Sequence, residues 1–134
     1  MLTEHLHKPF AGTADRKHRR RAERRGRIAE IMAAALLIVK GYRILDWRVR
    51  GPFGEIDLIA VRGQRLAFVE VKQRRTIEEA RMAVTARQAH RIGDAAERWL
   101  WRHPRYRGHR VGLDTVVVGP TFMPWHVIDA LHDW

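Results

Sequence analysis

From Ile28 to Lys40 apolar residues recur at helical spacing, with Ile31, Ala34, Ala35, Ile38 and Val39 on a wide stripe. The width predicts a largely buried helix, and Gly41 supplies its stop. The period then falls to two. Tyr42 to Arg50 reads as a first strand, with Ile44 facing one way and Leu45, Trp47 and Val49 the other, and Gly51-Pro52-Phe53-Gly54 connects it onward. Gly54 to Val61 and Leu66 to Lys72 are two runs rich in Val, Ile and Leu about Arg62-Gly63-Gln64-Arg65, the pattern of a β-hairpin with Gly63 in its turn. Thr76 opens a short helical stretch through Met82. Thr85 and Gln88 have capping-box spacing, which predicts a second long helix to about His103. Its stripe is Ala89, Ile92, Ala96, Trp99 and Leu100, and Pro104 ends it. Arg110 to Val118 is a fourth strand, and Trp125 to Ile128 a short edge strand, because Pro120 and Pro124 exclude a central one. Asp114, among apolar neighbours of the fourth strand, is either paired in the core or a contact to the site; the first is preferred.

Both faces of the hairpin are apolar. Ile59, Val61, Leu66 and Phe68 lie on one, and Ile56, Leu58, Ala60, Ala67, Val69 and Val71 on the other. Such a sheet needs cover on both sides, so the fold class is α/β: an α/β/α sandwich with a central mixed sheet of about four or five strands.

The pleat also places the charges. With Gly63-Gln64 as a two-residue loop, Arg62 pairs with Arg65, Asp57 falls opposite Glu70, Glu55 falls opposite Lys72, and all four carboxylate and lysine side chains share one face. Facing carboxylates repel. A shared proton, a nearby cation or a metal ion would offset the repulsion. A divalent metal held by Asp57, Glu70 and the backbone carbonyl of Val71, with Lys72 beside it, suits phosphodiester hydrolysis. All-oxygen ligation favours Mg2+ or Mn2+ over zinc. Lys72 could orient or deprotonate the attacking water, or stabilise the charge that develops on phosphorus oxygens. The competing reading is a salt-bridge cluster, Glu55 with Lys72 and Asp57 with an arginine, that only stabilises the hairpin end. A Glu-x-Lys is common by chance; the Asp57 pairing is what gives it weight.

Other chemistries fall away. The chain has no serine and no cysteine, its histidines lack metal-ligand spacing, and no glycine-rich phosphate loop occurs. The 134 residues carry a net charge of +11, which points to an anionic partner such as nucleic acid. Much of that charge is the run Arg16-Lys17-His18-Arg19-Arg20-Arg21, continued by Arg24, Arg25 and Arg27. Residues 1–25 are expected to form a basic, flexible arm that contacts nucleic acid through residues such as Arg19, Arg20 and Arg21, ahead of a domain over 26–134. A basic first turn of a helix is the alternative. Arg48 and Arg50 on the first strand, and Arg87 and Gln88 in the first turn of the second long helix, are further candidate phosphate contacts. The N-terminus lacks an apolar core of signal-peptide length, and Ile28 to Val39 is shorter than the roughly 20 residues a membrane span needs. A cytoplasmic protein without membrane contact is expected.

Gly26-Arg27-Ile28-Ala29-Glu30, Gly41-Tyr42-Arg43-Ile44-Leu45, Gly54-Glu55-Ile56-Asp57-Leu58-Ile59-Ala60, Phe68-Val69-Glu70-Val71-Lys72 and Ala83-Val84-Thr85, in this order, resemble the YraN family of endonuclease-like proteins. The likeness runs from about residue 22 to the C-terminus. Its core is similar to the PD-(D/E)xK nucleases, whose restriction-endonuclease-like fold is related to archaeal Holliday-junction resolvases. The resemblance implies Asp57, Glu70 and Lys72 as the catalytic set, with Glu30 as a fourth member; without it, Glu30 reads as a first-turn carboxylate favoured by the helix dipole. Three positions depart from the pattern: Ile56 where the wider superfamily often has Pro, Arg48-Val49-Arg50 where many relatives carry Asn-x-Arg, and Gln88 where many have Lys. The implied function is metal-dependent cleavage of nucleic acid, structured DNA foremost. The alternative is a non-catalytic nucleic-acid-binding module that keeps the nuclease fold. A homodimer is left open.

Overall fold

A computed structural model describes residues 12–52 and 54–131. The elements are α1 (Thr13–Val39), β1 (Arg43–Gly51), β2 (Gly54–Arg62), β3 (Arg65–Gln73), α2 (Ile77–Ala83), α3 (Ala86–Arg102), a 3₁₀ turn (Pro104–Tyr106), β4 (Arg110–Val118) and β5 (Pro124–Val127). The strands form one sheet in the order β1-β2-β3-β4-β5. β1, β2 and β3 are successively antiparallel, β3 and β4 are parallel, and β5 returns antiparallel to β4. The parallel pair needs a crossover, and α2 and α3 supply it. This is the mixed, helix-covered sheet expected, and it is compatible with a restriction-endonuclease-like fold.

Local chemistry sets the element ends. Thr76 caps α2 by accepting the Glu79 N–H at 3.1 Å, and Thr85 caps α3 by accepting the Gln88 N–H at 3.2 Å. Gly41, at φ +93°, closes α1 in the left-handed region while the Tyr42 N–H donates back to the Leu37 carbonyl at 2.9 Å. At the other end of β1–β2, Gly54 is obligatory, since a Cβ there would lie 2.8 Å from the Arg91 carbonyl oxygen of α3.

Two cores result. Ala29, Ala33, Ala34 and Leu37 of α1 pack on Leu58, Ala60, Ala67, Val69, Val116 and Val118. On the opposite face Ala95, Ala96 and Trp99 of α3 pack on Ile56, Ile59, Val61, Leu66 and Phe68, with the Phe68 and Trp99 rings edge to face at 5.7 Å. Each fully buried Leu, Ile or Phe contributes about 1.5–3 kcal/mol.

Two expectations need correction. The helix starts at Thr13, so the basic run from Arg16 to Arg25 is its N-terminal half and not a flexible arm; residues 1–11 lie outside the described residues. Nor is this helix largely buried. Ile28, Ile31, Ile38 and Val39 are exposed, because only the narrower stripe of alanines and Leu37 meets the sheet. Among the described residues no helix is long and apolar enough to cross a membrane.

Candidate functional site

The β2–β3 ladder begins at Arg62↔Arg65, as the two-residue loop requires, and ends at Leu58↔Val69. It stops one pair short of Asp57 and Glu70. Past that point the Val71 N–H donates to Asp57 Oδ2 at 2.7 Å, so a side chain replaces the backbone of β2 as acceptor. On the other side of β2, Trp47 pairs with Leu58 and Val49 with Ile56, which leaves Arg48 across from Asp57 without a ladder partner. Arg48 has φ 45°, a left-handed backbone inside a strand.

Strand alternation breaks here. Ile56 packs with the α3 core and Leu58 with the α1 core, as expected of Leu58 but not of Ile56. Glu55 and Asp57 turn instead toward α1, which corrects the single shared face expected of the four charges: β3 alternates regularly, so Glu70 and Lys72 lie with Phe68 on the α3 side. Glu55 and Asp57 line a cleft of about 350 Å³ with Arg48, Arg50 and, from α1, Glu23, Gly26, Arg27 and Glu30. The break therefore brings Glu30 and Asp57 together, which regular pleating would not do.

Each acidic group has an internal partner. Glu30 Oε2 accepts from Arg48 Nε at 2.7 Å. Glu70 Oε1 meets Lys72 Nζ at 2.8 Å, with the two side chains only 16% and 13% exposed. Glu70 Oε2 is buried and has no hydrogen-bond partner. Burial pushes the Asp57 carboxyl up to about 6; the charges of Glu70 and Glu30 add to this, while the Val71 N–H and Lys72 oppose it. The competing salt-bridge cluster does not form. Glu55 reaches Arg50 instead of Lys72, at 3.7 Å and largely in solvent, and Asp57 bonds backbone rather than an arginine. Among the described residues, no three His, Asp or Glu side chains are gathered as a metal-holding group. Of the donors expected for a cation, Asp57 lines the cleft, whereas Glu70, whose charge acts on Asp57, and half-buried Val71 are not among the lining residues.

The basic candidates divide. Arg48 is committed to Glu30, and Arg50 stands on the cleft rim. Arg19, Arg20 and Arg21 are exposed on the N-terminal half of α1. Arg87 is exposed in the first turn of α3, and Gln88 is half-buried with Oε1 lacking a partner. Neither lines the Glu30–Asp57 cleft. Arg27 and Glu23 do, and periodicity gave no sign of them.

Sequence reasoning also missed a polar network on the α1 face. Asp114, fully buried, accepts both Arg65 guanidinium nitrogens at 2.7 Å, His126 Nε2 at 2.7 Å and the Asp129 N–H at 2.8 Å. Burial works to raise its pKa, yet these donors together hold it well below the usual carboxylate range. Arg65 also reaches Tyr42 Oη at 3.1 Å, and Lys40 Nζ hydrogen-bonds His126 Nδ1. Gly112 makes the arrangement possible, since a Cβ there would overlap the Arg65 guanidinium. Asp114 is thus the paired core group preferred above.

The sequence profile of the uncharacterised protein family UPF0102 matches residues 29–118. A UPF0102 protein of Nitrobacter winogradskyi is 49% identical over 105 residues, which cover 78% of this chain and 89% of that protein. One from Bradyrhizobium sp. strain BTAi1 is 50% identical over 109 residues, covering 81% of this chain and 80% of the relative. One from Rhodopseudomonas palustris strain BisB18 is 50% identical over 106 residues, 79% of this chain and 78% of the relative.

Proposed function

The chain belongs to the uncharacterised protein family UPF0102, and from that premise we propose that it is a metal-dependent endonuclease that hydrolyses phosphodiester bonds of nucleic acid, structured DNA foremost. The observation that carries this reading is Glu70 Oε2, a buried carboxylate oxygen without a partner, beside an Asp57 whose ionisation burial opposes. Leaving such an atom unmet costs about 1–3 kcal/mol. A hard cation would recover it, and the donor set, two carboxylates and a peptide carbonyl, fits Mg2+ or Mn2+.

Asp57, Glu70 and the Val71 carbonyl would hold the ion, which when bound supplies charge to a phosphate oxygen and acidity to a water. Lys72, already at 2.8 Å from Glu70, brings its own positive charge to the same point. Glu30 adds a carboxylate from α1 on the Asp57 side. Arg27 and Arg50 along the cleft, and Arg19, Arg20 and Arg21 beyond it, attract and orient the polyanion. Arg87 and Gln88 belong to this reading only as outlying contacts. The resemblance of Gly54–Ala60 and Phe68–Lys72 to PD-(D/E)xK nucleases supports the same assignment. A chain without cysteine suits the reducing cytoplasm.

A second reading, a nucleic-acid-binding module without catalysis, has one observation in its favour: Glu30, Glu70 and Asp57 each have an internal donor, Arg48, Lys72 and the Val71 N–H. Thermal unfolding with and without Mn2+ separates the two. The nuclease reading expects Mn2+ to raise the Tm of the wild type but not of Asp57→Ala or Glu70→Ala. Equal shifts in all three would remove the metal site.

A further inference from the structure

Arg48 is the only non-glycine residue of positive φ that lies within a strand among the described residues. For a residue with a Cβ, the left-handed region costs on the order of 1–3 kcal/mol unless its surroundings hold it there. Two things hold Arg48. The pairs Trp47↔Leu58 and Val49↔Ile56 pin β1 on either side of it, and its guanidinium Nε donates to Glu30 Oε2 at 2.7 Å. Arg48 therefore stands across from Asp57 while gripping the carboxylate that α1 brings to the same cleft. A phosphate contact alone would not explain this. An arginine kept for a polyanion has no need of a strained backbone, nor of an acidic partner only 16% exposed.

The lone pair that Arg48 takes on Glu30 is one that a divalent cation at Asp57 would compete for, and its positive charge also opposes cation entry. We propose that Arg48 is a positioning residue that occupies Glu30 while the site holds no metal and releases it in exchange for a divalent cation, which frees the guanidinium for a phosphate oxygen. The proposal rests on the metal-site reading above. Metal uptake and anion recognition are then two sides of one exchange, and each strengthens the other.

Calorimetric titration of Mg2+ into the wild type, Arg48→Met and the double variant Arg48→Met/Glu30→Gln tests the exchange. Arg48→Met should bind Mg2+ about fivefold more tightly, equivalent to about 1 kcal/mol for a half-exposed ion pair. Adding Glu30→Gln should cancel that gain. In the wild type the Arg48 Nε–H resonance should shift, and its exchange with water quicken, as Mg2+ saturates; this readout needs no variant to fold. Equal or weaker Mg2+ binding by Arg48→Met, or an Nε–H signal unmoved at saturation, overturns the proposal. A wild type that takes up no Mg2+ removes the metal-site reading and the exchange together. A wild type that binds Mg2+ with Arg48→Met no tighter removes the exchange alone.

Discussion

At Asp57 the fold holds a carboxylate against the preference of its surroundings. Its pKa stands near 6 instead of the ordinary 3.8, chiefly through burial. A raised folded-state pKa means that the protonated form is favoured in the native protein. The associated stability is fully present below pH 3.8 and is lost as pH rises through 6. Asp57→Asn keeps an oxygen to accept the Val71 N–H and removes the titration. In metal-free buffer it should therefore be more stable than the wild type at pH 8, by at most about 3 kcal/mol, with the gap closing toward pH 4. Denaturant unfolding across that range checks this; a difference that does not change with pH would contradict it. How far the residue was legible is also clear. Counting from Gly63 gave the register correctly as far as Leu58↔Val69, since a two-residue loop fixes it, but the facing pair of Asp57 and Glu70 expected next does not form. The turn of Asp57 toward α1 was not legible. It depends on Arg48 adopting a left-handed backbone and on Glu30 from another element, and neither leaves a mark on period-two alternation.

Among the elements, α1 departs most from its sequence pattern. Its C-terminal half buries Ala29, Ala33, Ala34 and Leu37 and is positioned by that packing. Its N-terminal half, from Thr13 to Arg25, is exposed throughout. Helical periodicity marks only a half that buries something, so the basic half read as an arm. Arg, Lys, Ala and Glu are nevertheless good helix formers, and Asp15 sits favourably in the first turn. On the nuclease reading, the basic helix that continues past the cleft lined by Gly26, Arg27 and Glu30 would meet the phosphate backbone approaching that cleft. Deleting residues 1–25 should leave the sheet folded and reduce the salt slope of DNA binding by roughly 2 or more, each neutralised phosphate contributing about 0.9. An unchanged slope would take this helix out of the interface. The hairpin from Leu58 to Val69, and α3, were by contrast legible almost residue by residue, because loop length, capping threonines and apolar stripes are all local signals.

On the scale of the whole molecule, the single parallel pair decides what could be foreseen. β3 and β4 meet only after the α2–α3 crossover, so no count along the chain matches Asp114 with Arg65. Both faces of the sheet are nonetheless used as the apolar pattern requires: α1 covers one and α3 the other. β2 and β3 stay paired from Arg62↔Arg65 to Leu58↔Val69 and part at Asp57. That opening, with Glu70 and Lys72 beside it and a net charge of +11 around it, is the basis of the nuclease reading. Its most direct test is incubation of labelled single-stranded, duplex, flap and four-way DNA with Mg2+ or Mn2+. The account predicts that the wild type cleaves at least one of these, and that Lys72→Ala binds it without cutting. A wild type that binds such substrates, and RNA, yet cleaves none of them would contradict it.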